Sequence, residues 1–483
     1  QVIDGNLNRI SSPDISLVSM VRDKDGNFYL AVQDSSADMG RTGKILKYAY
    51  SPDTPATPDT ELTVYSLTDN TYIRQVAALF QKKYPDIYLN LEIGITDEEA
   101  VTSTDALKNL NTEIMAGNGP DVLVMDGIPS DTYVEKGMLK DISGILDKIE
   151  EEDGILDNIR ESYVQEDGSQ YVMPVRFGIP MLQGQGEDVT AVTDLASMAD
   201  TLEKYQSEYS EMHMPMSLLV GGADTFIRQF ADVNAPAWLK EDGTLDEAAV
   251  TEYLEQANRI YQTGKTGIDA LKAQGFAVYS IGERNMMSDI SASAISVLGG
   301  YYKLSVGRLL SPDGLALLYS AEQEETNLTH SLWNGQAQNC FIPEQTVGIS
   351  AKAAEPEAAE KLVEFLFSKE GQETGASEGF PVNEAVYDSE EYWAVGDENG
   401  NLGTLGSGNV ETGEYIEFDI VRADEETTKR VQELGKTLTQ PSEQNEIILE
   451  AVASNGSRYL EGEISLEEAA KGVIQQVNLY LSE

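Results

Sequence analysis

Cysteine, histidine and basic residues are scarce in this sequence. The single cysteine, Cys340, excludes a disulfide within the chain. With only two histidines, His213 and His330, a zinc site built from His and Cys lacks its ligands. Lys and Arg total 33 against 83 Asp and Glu, a formal charge of −50. Nucleic-acid binding needs a basic footprint, and none is present. The same charge is repelled by anionic membrane surfaces and steers anionic solutes away, which leaves neutral or cationic ones. No run approaches the ~20 consecutive apolar residues of a membrane span. The opening QVIDGNLNRI has neither the basic start nor the apolar stretch of a signal peptide. A mature exported form and a cytosolic protein both read this way, and one cysteine fits both compartments.

What is present is a globular composition. Hydrophobic residues make up 41% of the 483 positions, enough for real cores. At about 100–200 residues per domain the length suggests about two to four domains. The acidic groups are spread along the chain apart from short clusters such as Glu150-Glu151-Glu152-Asp153, as on a solvated surface.

Residues 1–58 read as a β-rich segment ending in a stiff linker. The turn Asp23-Lys24-Asp25-Gly26-Asn27 precedes an alternating strand, Phe28 to Val32, and a second strand spans 44–50. Three prolines within residues 51–59 mark the linker. From Glu61 the texture alternates between strand and helix. Leu62 to Leu67 is a strand, and Asn70 caps a helix over 71–83 in which Ile73, Val76 and Phe80 share a face. A strand at 87–93, a helix through Leu107, Leu110 and Ile114, and the apolar strand Asp121 to Met125 follow. This order predicts a parallel sheet in a doubly wound α/β domain. Ligands sit beyond the carboxyl ends of such strands, beside Asp69, Asn70 and Asp126. Further helices are expected at 245–262, 354–368 and 466–481.

Catalytic patterns fail on inspection. Gly375-Ala376-Ser377-Glu378-Gly379 spells G-x-S-x-G, but a nucleophile elbow follows a strand and needs a later histidine. Here a helix precedes, and both histidines come earlier. Asp23, Asp25 and Asn27 begin like a calcium loop whose glycine is displaced. Asp397, Asn399 and Asn401 fail in the same way. There is no phosphate-binding G-x-x-x-x-G-K-[ST] loop. No cofactor, metal site or catalytic residue is assigned.

The run LTVYSL, a helix ending FQKKYPDI, and LNTEIMAGNGPDVLVMDG resemble the first lobe of sugar-type extracellular solute-binding proteins of ABC importers. GSQYVMPVRFGIPM, ISVLGGYYKLS, VGISAKAAEPEAAEKLVEFLFSKEGQ and GFPVNEAV follow in the family's order, so the resemblance spans residues 61–390 and a helical C-terminal end. Residues 390–420, with DENGNLGTLGSGN, depart from it as an insertion, and Tyr301 stands where the family often has Trp. Residues 1–50 separately resemble one blade of a β-propeller; the alternative is a strand pair packed on the main domain.

The resemblance implies a two-lobed periplasmic-binding-protein-like α/β fold that closes on its solute about a hinge near 173–180. Lobe 1 would comprise 59–175 and 333–378, and lobe 2 would comprise 176–332 and 379–483. The implied protein is an extracellular, surface-anchored or periplasmic monomer that captures a carbohydrate and delivers it to an ABC permease. A surface sensory module is the alternative, with a carbohydrate-active enzyme last. Sugar recognition needs flat aromatics over C–H faces and planar polar groups for hydroxyls. Tyr301, placed after Gly300 at the end of an apolar strand, and Trp333, in a polar loop, are the aromatic candidates. Asp69, Asn70 and Asp126 are the polar ones in lobe 1, where capping alone also explains Asn70. Arg176 either reaches the ligand or braces the hinge. Gly221 and Gly222 either admit the ligand to backbone or form an ordinary turn.

Overall fold

The computed structural model describes residues 10–481 apart from 11, 13–14, 35–41, 50–57, 59, 97–100, 207–213, 218, 220–221, 241–242, 274–288, 376–377, 410–411 and 444. The linker 51–59 and the Ser377 motif fall largely outside the described residues, as does Gly221. The chain forms two units. One comprises Gln1–Arg176 and Glu344–Tyr392, the other Phe177–Pro343 and Trp393–Glu483. It therefore passes between them after residues 176, 343 and 392, where the sequence reading put the crossings after 175, 332 and 378.

In the first unit, β1 (Ile15–Arg22), β2 (Phe28–Asp34) and β3 (Thr42–Tyr48) form an antiparallel three-stranded sheet. Leu30 and Val32 are buried, whereas Leu17, Val18, Met20, Val21 and Ile45 are exposed. The Asp23 carboxylate accepts the amides of Asp25 and Asn27 and the Asn27 side chain, a self-contained turn.

Then come β4 (Thr60–Ser66), α1 (Thr71–Lys83), β5 (Ile87–Ile93), α2 (Ser103–Ala116), β6 (Val122–Val124) and β7 (Leu139–Lys140). Asn70 caps α1 by accepting the Ile73 N–H at 2.9 Å. Gly117, at φ 79°, ends α2 in the left-handed turn that glycine adopts without a Cβ clash. β4 pairs parallel with β5 on one side and β6 on the other. α1 lays Ile73, Val76 and Phe80 on this sheet, each 4% exposed or less. Such burial stabilises by about 1.5–3 kcal/mol per large apolar side chain. Phe80 also meets Phe365 of helix Pro356–Phe367, with ring centroids 5.8 Å apart.

The long strand β8 (Val172–Gln185) carries the chain into the second unit. There β9 (Met214–Met216) runs parallel to β10 (Tyr302–Leu309), and β8 is antiparallel to both β10 and β11 (Leu328–Leu332). β12 (Cys340–Ser350) returns to the first unit and pairs antiparallel with β6 and β7. β13 (Phe380–Pro381) follows. The Gly-rich segment expected as an insertion is an antiparallel hairpin of β14 (Asn401–Gly408) and β15 (Tyr415–Val421). A short β16 (Gln440–Pro441) pairs with the start of β12 in the second unit.

The second unit's core gathers Phe226, Phe230, Trp238, Tyr253 and Trp333 with Leu304 and Val306 of β10. Helices Glu247–Ala273, Glu446–Leu460 and Leu466–Leu481 supply much of its apolar wall. Among the described residues no helix is long and apolar enough to cross a membrane.

Candidate functional site

In the first unit the three parallel strands end together. The registers set Ser66 of β4, Val124 of β6 and Val347 of β12 in one row. Two residues beyond it, in the carboxyl direction of β4 and β6, lie Thr68, Asp126 and Gln345. This is the end of a parallel sheet where ligands gather. The half-buried Asp126 carboxylate accepts the backbone N–H groups of Gln345 and Thr346, each at 2.9 Å. It thereby fastens the start of β12 to the end of β6. Asp69 is exposed and pairs with Arg74 at 2.6 Å, while Asn70 spends its side-chain oxygen on the α1 cap.

Tyr65 Oη on β4 and Gln345 Oε1 on β12 are buried polar atoms with no hydrogen-bond partner among the described residues. Burial pushes the Tyr65 phenol up to about 12, helped by Glu113 and Glu92. Gly94, just past β5, lies so near that a Cβ there would come within 2.0 Å of Tyr65 Oη.

Arg176 is fully buried in the first unit. Its guanidinium donates to the carbonyls of Gly379 at 2.7 Å, Gln372 at 2.5 Å and Thr374, and lies 4.9 Å from the centre of the Tyr72 ring. The arginine ties the crossing strand to the turn leading into β13.

The second unit revises two aromatic expectations. The run Ile295–Leu298, taken as the end of an apolar strand before Tyr301, belongs to a helix, Ser291–Leu298. Gly300, at φ 74°, ends it, with the Gly300 and Tyr301 amides donating back to Val297 and Ser296. Tyr301 thus sits at the amino end of β10. The carboxyl end, Arg308 and Leu309, is the one paired with Pro180 and Ile179 close to the crossing at Arg176. Tyr301 lies instead against the insertion hairpin. A Cβ on Gly299 would come within 3.0 Å of both the Tyr301 ring and the Gly408 carbonyl.

Trp333 follows β11 in a loop, as expected, but lies off the surface. It is 1% exposed and stacks on Phe230 with centroids 5.5 Å apart. Its polar neighbours turn away into a separate network, in which Gln336 accepts from the Trp238 indole at 3.0 Å.

Gly222 opens helix Gly222–Phe230 at φ 79°, just past the carboxyl end of β9. Near the carboxyl end of β10, Arg308 makes a two-pronged pair with the buried Asp232, both contacts at 2.8 Å. Sequence reasoning singled out neither this pair nor Gln345. An arginine inside the apolar run KLSVGRLL was the available signal for the former, and nothing local marked the latter. Among the described residues no three His, Cys, Asp or Glu side chains are placed to share a metal ion.

The fold and this geometry can be set beside known proteins. The family described as bacterial extracellular solute-binding protein matches residues 75–397. No curated protein matches the chain. Among solved structures, one reported with xylan utilization by Caldanaerobius polysaccharolyticus is 14% identical, with TM-score 0.51 over 86% of this chain and 100% of its own. The solute receptor AcbH, described as exclusively preferring β-D-galactopyranose, is 11% identical, with TM-score 0.50 over 87% and 99%. Maltose-bound MalE3 of T. maritima is 16% identical, with TM-score 0.49 over 87% and 100%. At these identities the first two structures show the fold alone, whereas the family match covers more than half of the sequence. The chain belongs to the bacterial extracellular solute-binding protein family.

Proposed function

We propose that this protein captures a small neutral carbohydrate outside the cytoplasm and hands it to an ABC permease without breaking a bond in it. The observation that carries the reading is the polar end of the first unit's parallel sheet. Thr68, Asp69, Asn70 and Asp126 gather there at the place where such sheets take ligands. Planar carboxylates and amides are the groups that satisfy sugar hydroxyls. The charge of −50 argues against an anionic cargo. Two proteins of like fold, described with xylan utilization and with galactopyranose preference, support a sugar.

The chain acts as a monomer in this reading, exported and either free or held at the cell surface. Strands β1 to β3 stand apart from solute capture as a blade-like sheet. Support for that comes from their antiparallel order and the exposed apolar side chains of β1.

The test is a thermal-shift and calorimetric panel of xylobiose, longer xylooligosaccharides, galactose and maltose, with recovery of each sugar unchanged afterwards. A sugar at 100 times its Kd should add about 2.7 kcal/mol of stability. Stabilisation by a polyamine or peptide and by no sugar would refute the cargo class. Steady hydrolysis of a sugar would refute the binding-only role.

A further inference from the structure

We propose that Gln345 is a solute-binding residue whose side-chain amide hydrogen-bonds a hydroxyl of the captured sugar, an inference that rests on the carbohydrate reading above. Three observations meet at this residue. Its backbone has φ 52°, in the left-handed region that glycine enters freely and other residues enter at a cost. Its side chain is 4% exposed, and Oε1 is buried with no hydrogen-bond partner among the described residues. It lies level with Thr68 and Asp126 at the carboxyl end of the parallel sheet.

Each observation has an energetic sense. A left-handed backbone at a residue other than glycine persists only where neighbours over-determine it. Here Asp126 does so, gripping the N–H groups of Gln345 and Thr346 with its two oxygens. The Met125 N–H adds a third tie by donating to the Thr346 carbonyl at 2.6 Å. A buried amide oxygen left unpaired is unfavourable, and folds keep such atoms rarely. Glutamine supplies both a donor and an acceptor, which suits a hydroxyl that does both. The strained backbone and the unmet oxygen thus have one common explanation, a solute that completes the residue's hydrogen bonding. Asp126 then acts as a positioning residue, setting the backbone from which the amide extends. Gln170 and Gln183, whose buried side-chain oxygens are likewise unpaired among the described residues, do not share the left-handed backbone.

The experiment compares the native protein with Gln345→Gly and Gln345→Asn, by thermal melting without sugar and by calorimetric titration. The probe is whichever of xylobiose, galactose or maltose gives the largest heat with the native protein. Glycine accepts φ 52° without strain, so Gln345→Gly should melt at or above the native Tm while its Kd rises about tenfold or more, ~1.4 kcal/mol. Asparagine tolerates the same backbone but is one methylene shorter, so its Kd should rise while the fold is kept. A lower Tm for Gln345→Gly with unchanged Kd would overturn the proposal and make Gln345 structural. Native affinity in Gln345→Asn would overturn it as well. If the native protein binds none of the three sugars, the carbohydrate reading falls and takes this role with it, an outcome separate from binding that is insensitive to Gln345.

Discussion

Removing the Arg176 guanidinium should destabilise the first unit while leaving solute affinity in place. The side chain is fully buried, and three backbone carbonyls, from Gln372, Thr374 and Gly379, depend on it. Hydrogen bonds to a charged group contribute about 1.5–3 kcal/mol each, and a desolvated cation over an aromatic ring, here Tyr72, adds about 2. Against this stands the cost of holding an ion in the interior, several kcal/mol, which a neutral side chain would not incur. Arg176→Met preserves most of the apolar volume but strands the carbonyls. We expect a net loss of about 3–5 kcal/mol, the range for removing one partner of a buried charged contact. In a body of ~200 residues, 1 kcal/mol moves Tm by about 2–4 °C, so the shift is on the order of 10 °C. Arg176→Lys keeps the charge but not the planar fork, and should fall between. Circular-dichroism melts of the three proteins, with sugar titration of each, are the assay. A methionine variant that melts within about 2 °C of native and binds sugar more than tenfold weaker would refute the bracing role and return Arg176 to the solute.

Trp333→Ala should cost about 3–5 kcal/mol in chemical unfolding, because it opens a cavity against Phe230 in the second unit's core. A loss below about 1 kcal/mol with tenfold weaker sugar binding would instead make it a platform. Asp289 is half-buried and accepts the Ser291 N–H at 2.9 Å, yet burial is the largest influence and raises its carboxyl above the usual range. As pH rises past the unfolded value, about 3.9, the unfolded chain loses this proton first, so the contribution to stability falls until the raised folded value is passed. Asp289→Asn keeps an acceptor for Ser291 and should abolish that dependence, gaining on the native protein from acid to neutral pH. Parallel melting curves at both ends of the range would refute this.

The parts read correctly from sequence are those governed by neighbours along the chain. Asn70 as a cap and the 3.6-residue spacing of Ile73, Val76 and Phe80 are local, and α1 runs over Thr71–Lys83 as they require. The β4–α1–β5–α2–β6 order likewise makes a parallel sheet, because short connections through helices leave little else. Locality fails where a residue's surroundings come from far away. The run Ile295 to Leu298, three apolar residues and one serine, suits strand and helix equally, and only packing chose the helix that moved Tyr301 to the amino end of β10. Trp333 has Asn334, Gly335 and Gln336 beside it in sequence, which looks like a surface loop. Phe230, about a hundred residues earlier, buries it. Arg176 finds its carbonyls about two hundred residues downstream. Gln345 takes its left-handed backbone from Asp126, 219 residues before it. Periodicity and capping are short-range forces and therefore legible in order along the chain. Burial, strain and unmet hydrogen bonds belong to pairs that only the folded structure brings together.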